Sequence, residues 1–524
     1  MEQIELIRGL AVPGVLPGSD VGIEVRETHA SVVFMTRERA YKLKKAVNFG
    51  FLDYSTARRR RLMCEREVAL NRRLAPNVYE GVIAVREGPG GGVAIGGHGR
   101  VIDHLVVMRR LDDRDSLAAM VRDGRAGEAE CRAVARVVAA FHRDAKRGEP
   151  RRAMAPAVRV NVMENFGQLR AMPGVAMPGP WLELLEHRAR QFLRGERTLL
   201  AARAANGVVR ECHGDLRAEH VYLERGGVAV IDCIEFSRRL REIDSAADIA
   251  FLVMDVAAMG RPRAAEAVAE EYRARSGDGL DGVLRFYGAY RAVVRAKVAA
   301  LRAGELADGD PAREASAIEA RRYAWTALRF ATGVARPAMV IVGGLTGTGK
   351  SWLARPLSEA LAAEYVNADE VRKRMAGIAP GEHVFAGPDQ GLYRAEMNAA
   401  VYAAMRERAR VALAEGRNVV LDATFRRPEE RAAAAEVAVE CGAAFLAVEC
   451  EAPPGAVRAR LERRVAEASD PWSDGRWEVY AAQAAAARPW TEAGCMRVET
   501  TGERIAVVDG VLVALAERVG FASA

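Results

Sequence analysis

The sequence lacks long hydrophobic runs, paired cysteines and a secretory signal. No apolar run in the 524-residue chain reaches the roughly 18 residues that a membrane-spanning helix needs, so no membrane segment is expected. The first residues do not combine a basic segment with an apolar one, and export is therefore not expected. The seven cysteines are scattered singly without a Cys-x-x-Cys pair, which indicates free thiols in a reducing compartment. These absences together predict a cytoplasmic protein.

Aromatic residues are also few, at 6% of the chain, and this bears on the meaning of its net charge of +7. The densest basic run, Arg58-Arg-Arg-Arg61, has no aromatic residues interleaved with it, as a surface that stacks nucleic-acid bases would require. A solvated helix face explains this run better, so a nucleic-acid partner is not expected. Anionic phosphorylated ligands would account for the excess charge equally well.

The length of the chain predicts two or three domains, because single hydrophobic cores stop growing near ~250–300 residues. Alternating segments at 30–35 and 39–44 predict an antiparallel strand pair, and the spacing of apolar residues predicts a helix from 56 to 74. The sequence is then mostly helical as far as a predicted domain boundary near Ala335. Beyond it, strands and helices alternate, which predicts a parallel sheet covered by helices.

The strongest motif is Gly-Leu-Thr-Gly-Thr-Gly-Lys-Ser at 344–351, between a strand-like run and a helical pattern. Glycines let the backbone turn tightly enough to aim several N–H groups at phosphate oxygens, Lys350 adds a mobile cation that also serves catalysis, and Ser351 offers a hydroxyl to Mg²⁺. A glycine-rich turn without a ligand is the alternative. The motif predicts a nucleoside triphosphate site that is formed by Gly344, Thr346, Gly347, Thr348, Gly349, Lys350 and Ser351.

Four further features accompany this motif. Asp369 follows an apolar strand, in the crevice where the γ-phosphate meets its acceptor, and is the predicted base; capping of the next helix is its alternative role. Arg372, in the basic start of that helix, is a candidate substrate ligand. Asp422 ends a second apolar strand and suits a water-mediated contact with Mg²⁺. Arg460 and Arg464, one helical turn apart, are candidates to close over the phosphates as a lid, unless they form an exposed basic helix.

A second constellation lies upstream of the first. His213-Gly-Asp215-Leu precedes a short strand, and Ile231-Asp232 ends the next one. Two acids at neighbouring strand ends can divide the work of phosphate transfer, because one accepts the proton of the acceptor while the other holds Mg²⁺ against the triphosphate. The pattern therefore predicts a second phosphotransfer site.

These segments, His-Gly-Asp-Leu followed by Ile-Asp-x-x-Glu, resemble the catalytic and metal-binding segments of the aminoglycoside phosphotransferase family, which has the protein-kinase-like fold. The resemblance extends from the N-terminal small lobe to about residue 330. It implies that Asp215 is the catalytic base and that Asp232 binds the metal. It also implies that the segment from Val106 to Leu111 meets adenine.

The same resemblance implies a role for a strand lysine and a helix glutamate. Lys42, in an Ala-x-Lys strand, would hold the α- and β-phosphates, with Lys44 on the same strand face as its rival. Glu67 in the following helix resembles the acid that pairs with this lysine, with Glu65 as the alternate.

One position departs from the family pattern. His220 stands where the family places a magnesium-binding asparagine, five residues after the catalytic aspartate, and is a candidate metal ligand by position. Imidazole suits Mg²⁺ poorly, since that ion prefers oxygen ligands. Either Asp232 and Glu235 carry the metal, or this lobe is weakly active.

Two more predictions concern the helical part of the N-terminal half. Asp248 is expected to brace the catalytic loop rather than to react. Tyr287, Arg291 and Arg295 recur every four residues on one helical face, where they line an anionic substrate pocket or form a salt-bridged surface.

The C-terminal half resembles the small P-loop kinases, close to gluconate kinases, chloramphenicol phosphotransferase-like enzymes and zeta-type toxins. The motifs that carry this resemblance cover most of residues 337–510. The whole chain resembles bacterial fusions of an aminoglycoside phosphotransferase-like domain with an AAA-type ATP-binding domain. We therefore predict a mixed α/β and α+β chain: a bilobal kinase-like domain at 1–335, with lobes at about 1–111 and 112–335, and a P-loop parallel-sheet domain at 336–524.

Two phosphate-handling sites, each with an acid placed as base, predict an enzyme that uses ATP and Mg²⁺ to phosphorylate hydroxyl groups of small molecules. A sugar, a sugar acid or an aminocyclitol is the expected acceptor. One alternative is a regulatory protein whose N-terminal lobes bind ATP without catalysis and gate the P-loop domain, which His220 favours. Another alternative is a kinase for RNA or nucleotide ends.

Overall fold

The computed structural model describes residues 2–20, 22–50, 52–172, 174–280, 282–382, 391–467, 472, 475–492 and 494–521. Within these residues, no helix has both the length and the apolar composition that crossing a membrane requires. The chain forms two compact units. The first comprises Met1–Arg159, Glu196–Val256 and Ala264–Leu284, and the second comprises Val160–Gly195, Ala257–Arg263 and Arg285–Ala524. The predicted boundary near residue 335 stays a prediction.

The elements are numbered along the described part of the chain. The strands are β1 Glu24–Glu27, β2 Ser31–Met35, β3 Arg39–Lys44, β4 Tyr79–Glu87, β5 Val93–Ile95, β6 Val101–Arg109, β7 Val209–Glu211, β8 Val221–Glu224, β9 Gly227–Val230, β10 Glu242–Asp244, β11 Ala338–Gly343, β12 Glu364–Asn367, β13 Val419–Asp422, β14 Ala444–Glu451 and β15 Met496–Glu499. The helices are α1 Gln3–Leu10, α2 Ala57–Asn71, α3 Leu117–Arg122, α4 Glu128–Asp144, α5 Ala155–Arg170, α6 Gly179–Gly195, α7 Arg197–Ala205, α8 Arg238–Arg241, α9 Ser245–Ala258, α10 Pro262–Ser276, α11 Leu284–Glu305, α12 Pro311–Thr332, α13 Lys350–Ala360, α14 Ala368–Met375, α15 Ala395–Ala414, α16 Pro428–Glu440, α17 Pro454–Glu467, α18 Trp477–Ala486 and α19 Arg504–Val519.

An antiparallel sheet of order β1-β2-β3-β6-β4-β5 forms the start of the first unit. The predicted strand pair is confirmed as β2 and β3, and the predicted helix is confirmed as α2. Thr56 caps α2 by accepting a hydrogen bond from the N–H of Arg59 at 3.3 Å, as a threonine before a helical run commonly does. Helix α2 buries Cys64 and Val68 against the same cluster as Val106 of β6. This packing holds one face of α2 against the sheet that carries the strand lysines.

Two small strand pairs position the acidic residues of the first unit. Strand β7 pairs with β10, and β8 pairs with β9, in both cases antiparallel. Asp215 lies in the connection between β7 and β8, and Asp232 lies two residues beyond the end of β9. Asp215 therefore precedes β8 and Asp232 follows β9, so the two acids flank one antiparallel strand pair.

A five-stranded sheet of order β12-β13-β11-β14-β15 forms the centre of the second unit, and every neighbouring pair in it is parallel. The predicted parallel sheet is thus confirmed. Strand β11 is buried along its whole length, which matches its continuous apolar sequence. The phosphate-loop motif, Asp369 and Asp422 all come at or just beyond the carboxyl ends of these strands, where open parallel sheets bind ligands.

A buried arginine fixes α12 within the second unit. The guanidinium of Arg321, fully shielded from solvent, donates to the carboxylate of Asp509 on α19 at 2.6 and 2.7 Å. It also donates to the main-chain carbonyls of Gly174 and Val175, each at 2.9 Å. One side chain thereby joins α12, α19 and the loop before α6.

Candidate active sites

Two strand lysines and one helix glutamate form the centre of the first site. Lys42 Nζ donates to Glu67 Oε1 at 2.9 Å and to Asp232 Oδ1 at 2.6 Å. Lys44 Nζ donates to the other oxygen of Glu67 at 2.6 Å and also contacts Glu235. Glu67 therefore forms ion pairs with both lysines, whereas Asp232 forms one with Lys42. Glu65, the alternate for Glu67, pairs instead with Arg61 on an exposed face.

The charges in this cluster support one another. Burial would lower the pKa of Lys42, but Asp232 and Glu67 hold that pKa well above its ordinary value. Burial would likewise raise the pKa of Glu67, and the two lysines lower it instead. The pKa of Asp232 is also lowered, because the charge of Lys42 and its hydrogen bond outweigh the effect of burial. The acids are thus held as carboxylates and the lysine as an ammonium.

The backbone around Asp232 is held by two buried side chains that the sequence analysis missed. Asp232 has a φ of +64°, a left-handed conformation that aspartate tolerates better than most residues. Its N–H donates to the hydroxyl of Tyr79 at 3.2 Å, and the next N–H, of Cys233, donates to Asn71 Oδ1 at 2.9 Å. Asn71 lies one helical turn after Glu67, and this spacing is the only sequence signal for its role.

The loop that carries Asp215 is held in place by buried hydrogen bonds to Asp248. Asp248 accepts the N–H groups of His213 and Gly214 at 2.9 and 2.8 Å, which is the bracing contact expected for it. His142 Nε2 lies 3.0 Å from the same carboxylate, and its Nδ1 lies 2.8 Å from the hydroxyl of Tyr272. A carboxylate only accepts hydrogen bonds, so Nε2 is the donor. This buried network fixes the backbone immediately before Asp215.

Asp215 lies beside an arginine and a histidine. Arg217 Nε donates to Asp215 at 3.2 Å, and Arg217 Nη2 lies 2.9 Å from His220 Nε2. His220 Nδ1 lies 2.9 Å from the main-chain carbonyl of Asp215. Both ring nitrogens of His220 are thus hydrogen-bonded, which argues against the metal role that its position in the motif suggested. A metal role for Asp232 stays a prediction.

Glu235, the other acid considered for the metal in this site, is held in a buried contact. Its carboxylate pairs with Lys44 and with the hydroxyl of Tyr54. Burial comes first among the causes that raise the pKa of Tyr54, followed by the charge of Glu235. Glu235 therefore stabilises Lys44, and a metal role for it stays a prediction.

The phosphate loop lies at the end of β11 in the second unit. Gly344 has a φ of +132°, and a Cβ there would lie 2.4 Å from the carbonyl oxygen of Cys450, so no other residue fits without movement. Lys350 Nζ donates to the carbonyl of Leu345 at 2.9 Å, inside the loop. Burial lowers the pKa of Lys350, and the charges of Asp422 and Asp369 oppose that effect. A desolvated ammonium group is stabilised by a nearby negative charge, so Lys350 is suited to bind an anion.

Three donors converge on Asp422. Its Oδ2 accepts hydrogen bonds from the hydroxyls of Ser351 and Tyr365, both at 2.6 Å, and from Asn367 Nδ2 at 2.9 Å. A hydroxyl and a carboxylate in contact offer the oxygen ligands that Mg²⁺ prefers. Ser351 and Asp422 therefore fit the metal predicted for this site. The contribution of Tyr365 was not predicted, because the sequence pattern of a strand indicates a packing role for a tyrosine within it.

Asp369 is paired with Arg372 and does not cap the helix. Asn367 is the N-cap of α14, accepting the N–H groups of Asp369 and Glu370 at 3.0 Å each. The capping role considered for Asp369 is therefore wrong, and its carboxylate contacts Arg372.

Arg372 is buried in the same site. Its Nη2 donates to Asn398 at 3.1 Å, and its guanidinium lies 4.7 Å from the ring centre of Tyr393. Its buried Nε has no hydrogen-bond partner within the described residues. A buried donor without a partner is costly, so this N–H is suited to meet a ligand.

The predicted lid arginines differ in their contacts. Arg460 donates to the hydroxyl and the carbonyl of Thr500 at 2.9 and 2.7 Å, so it joins α17 to the loop after β15. Thr500 in turn donates to the carbonyl of Thr348 in the phosphate loop at 2.7 Å. Arg464 lines the cleft that contains the phosphate loop. Its role as a lid residue stays a prediction.

These side chains share one cleft of about 2080 Å³ in the second unit. Among the residues that the structure describes, ten arginines and Lys350 line it, against six acidic residues. The cleft includes the whole phosphate loop together with Asp369, Arg372 and Asp422. Its charge favours anionic ligands.

Arg291 and Arg295 lie on α11 in the second unit. Arg295 pairs with Glu319 at 3.2 Å and lies over the ring of Tyr323 at 5.1 Å, while Arg291 is buried. These contacts are those of the salt-bridged alternative for Arg295. A substrate role for this pair stays a prediction.

The fold and the two sites define a chain that joins a protein-kinase-like phosphotransferase domain to a P-loop kinase-like domain. Residues 36–287 match the family model described as phosphotransferase enzyme family, and residues 339–489 match the model described as AAA domain. The chain belongs to the family of two-domain proteins that includes Rv2004c of Mycobacterium tuberculosis, to which it is 37% identical over 92% of this chain and 93% of that protein. The protein Mb2027c of Mycobacterium bovis matches to the same extent. Both relatives bear the name "uncharacterized protein".

Solved structures resemble the two halves separately. A choline/ethanolamine kinase family protein from Mesorhizobium loti is 14% identical, covering 62% of this chain and 99% of that one, with a TM-score of 0.38. A gluconokinase from Sinorhizobium meliloti is 20% identical, covering 34% of this chain and 92% of that one, with a TM-score of 0.25. The assignment of the two halves rests on the family models, a phosphotransferase enzyme family and an AAA domain. Kinases and phosphotransferases of this type generally use ATP with Mg²⁺.

Proposed function

We propose that the protein is a bifunctional ATP-dependent phosphotransferase that transfers the γ-phosphate to hydroxyl groups of two small molecules. The observation that carries the proposal is that each unit separately holds a partly buried lysine near an acid suited to Mg²⁺ and a further acid suited to take a proton: Lys42, Asp232 and Asp215 in the first unit, and Lys350, Asp422 and Asp369 in the second. A sugar, sugar acid or aminocyclitol remains the proposed class of acceptor.

In the first site, Lys42 would bind the α- and β-phosphates, because Glu67 and Asp232 hold its ammonium at a fixed position. Asp232 would hold Mg²⁺, which shields the charge of the triphosphate. Asp215 would accept the proton of the attacking hydroxyl while the bond from the γ-phosphorus to the bridging oxygen breaks. The network through Asp248 supports this assignment, since it fixes the loop that carries Asp215.

In the second site, the phosphate loop and Lys350 would bind the β- and γ-phosphates, with Ser351 and Asp422 holding the metal. Asp369 would accept the acceptor's proton. Arg372 supports an anionic acceptor here, because its buried Nε has no partner among the described residues and its charge faces the cleft. Arg464 is proposed to close over the phosphates.

A regulatory role for the first unit is the second candidate, favoured by His220, which stands where the family places a metal-binding asparagine and has both ring nitrogens hydrogen-bonded. A site without that metal ligand would be weakly active. In that case the first site would bind ATP and the second alone would turn over.

The number of nucleotides bound per chain tests the proposal directly. Calorimetric titration of the full chain with Mg²⁺ and AMPPNP, a non-hydrolysable ATP analogue, is expected to give two bound nucleotides. Lys42→Met and Lys350→Ala should each abolish one of them, because each removes the cation that binds phosphate in one site. Arg225→Gln, which removes an exposed charge in the turn between β8 and β9, serves as the control and should keep both. One nucleotide on the unsubstituted chain would contradict the proposal.

A further inference from the structure

The hydrogen bonds around His220 fix the state of its ring. Arginine carries only N–H donors, so the 2.9 Å contact from Arg217 Nη2 makes His220 Nε2 the acceptor. The ring proton then lies on Nδ1, which donates to the main-chain carbonyl of Asp215 at 2.9 Å. The imidazole is neutral, and its one lone pair is already engaged. His220 therefore offers nothing to a metal ion.

Arg217 brings a permanent charge to the same place. Its side chain is only 12% exposed, and its Nε lies 3.1 Å from Asp215 Oδ1 and 3.2 Å from Asp215 Oδ2. It also contacts Glu219. Asp232 Oδ2 lies 3.8 Å from His220 Nε2, the atom to which Arg217 donates. The guanidinium thus contacts Asp215, Glu219 and His220, and it is connected to Asp232 only through His220.

Protein kinases use two Mg²⁺ ions, one held by an aspartate after a strand and the other by an asparagine of the catalytic loop. Here His220 stands at the asparagine position, and the lone pair on its Nε2 already accepts a hydrogen bond from Arg217. A guanidinium is always charged and presents several N–H donors to phosphate oxygens. It can therefore neutralise phosphate charge without a metal ion.

We propose that Arg217 supplies in the first site the positive charge that a second metal ion supplies in two-metal kinases. The first site then binds ATP with one divalent cation, held by Asp232. This inference rests on the proposed function, because it concerns the same nucleotide site. It also gives the contact between Arg217 and Asp215 a role, since binding of the triphosphate would draw the guanidinium toward the phosphates and release the base.

Counting bound Mn²⁺ tests the inference without reference to turnover. The background is the full chain carrying Lys350→Ala and Ser351→Ala, which removes the principal cation and the metal-binding hydroxyl of the second site. Electron paramagnetic resonance of Mn²⁺, in the presence of AMPPNP, reports free Mn²⁺ and hence the number bound per nucleotide. We expect one Mn²⁺ per bound nucleotide. Adding Arg217→Gln and His220→Asn should raise the number to two. The asparagine offers a carboxamide oxygen as a metal ligand in place of the hydrogen-bonded imidazole, and the positive charge that would repel a second cation is removed.

The control and the single variants sharpen this result. Arg225→Gln, exposed on the turn between β8 and β9, should leave one Mn²⁺. Arg217→Lys keeps the positive charge and should also leave one, whereas Arg217→Gln alone should weaken AMPPNP binding at least tenfold. Circular dichroism establishes that each variant is folded.

Three outcomes would overturn the inference, and they are distinguishable from one another. Two Mn²⁺ per nucleotide in the background chain would show that the site is an ordinary two-metal site. A number that stays at one in a folded double variant, with unchanged AMPPNP affinity, would show that Arg217 does not stand in for an ion. Absence of AMPPNP binding from the background chain would instead refute the proposed function of the first site, and the inference with it.

Discussion

Replacing Arg321 by methionine is expected to lower the free energy of unfolding of the second unit by about 3 kcal/mol. Removal of one partner from a buried ion pair costs ~3–5 kcal/mol, and the lower value applies because the Asp509 side chain keeps 21% of its surface in contact with solvent. The carbonyls of Gly174 and Val175 lose their donor in the same change. Methionine fills a similar volume, so the effect reports lost polar contacts rather than a cavity.

Tryptophan fluorescence in urea measures this effect cleanly. All six tryptophans of the chain fall within the residue ranges of the second unit, so the signal reports on that unit alone. Arg322→Met, one residue further along α12, is the matched control. That side chain is 33% exposed, and its ion pair with Glu319 is long, at 3.7 Å. A change within about 0.5 kcal/mol is therefore expected. A loss below about 1 kcal/mol for Arg321→Met would contradict the anchoring role.

The consequence of this anchor reaches the second site. Helix α19 begins with Arg504, which donates to Glu314 of α12 at 2.8 Å and lies 5.0 Å from the ring centre of Trp352. Trp352 directly follows Ser351 of the phosphate loop. Helix α12, which precedes the predicted boundary near residue 335, therefore supports the first turn of the helix that follows the phosphate loop. A chain cut at residue 336 would lose that support.

Replacing Asp369 by asparagine is expected to lower phosphate transfer in the second site by about 10²–10⁴-fold, the range that a positioned general base contributes. Asparagine keeps the shape of the side chain and a hydrogen bond to Arg372 but has no basic oxygen. Binding of AMPPNP should stay within about twofold, because the phosphate loop is unchanged. The rate is measured with an acceptor that wild-type protein phosphorylates.

Glu370→Gln is the control for Asp369→Asn, since Glu370 is the adjacent acid on α14 and pairs with Arg374. It should leave the rate within about twofold of wild type. Equal losses in the two variants would show that acidity at the start of α14 matters only for stability. A loss confined to Asp369→Asn, with nucleotide binding retained, supports the role of base.

The architecture could be predicted from the sequence because its signals are local. Continuous apolar runs such as β11, separated by helical patterns, indicate a parallel sheet, and the glycine-rich motif locates its phosphate site. Strand β15 was missed, since its four residues alternate only weakly in burial and lie at the sheet edge. Edge strands are short and carry little periodic signal.

The choice between Lys42 and Lys44 could not be made from the sequence, for a geometric reason. Residues two apart in a strand share one face, so both lysines reach the same side of the sheet. The structure shows that both contact Glu67, which has one oxygen for each. Two distant acids distinguish them, since Asp232 contacts Lys42 and Glu235 contacts Lys44.

The states of His220 and Asp369 also depend on neighbours that no spacing reveals. The substitution of histidine for asparagine is visible in the motif, but the hydrogen bond from Arg217 that fills its lone pair depends on side-chain conformation. Likewise, aspartate and asparagine are both good caps, and the exact start of a helix decides which of them caps it. In α14 that residue is Asn367.

Phosphate transfer by three proteins against one panel of acceptors tests bifunctionality most directly. Wild type, Asp215→Asn and Asp369→Asn are each incubated with ATP, Mg²⁺ and sugars, sugar acids or aminoglycosides, and the phosphorylated products are identified by mass spectrometry. We expect at least two products from wild type, one lost with Asp215→Asn alone and another lost with Asp369→Asn alone. Products that all survive Asp215→Asn and all disappear with Asp369→Asn would contradict two active sites and would leave the first unit as a nucleotide-binding regulator.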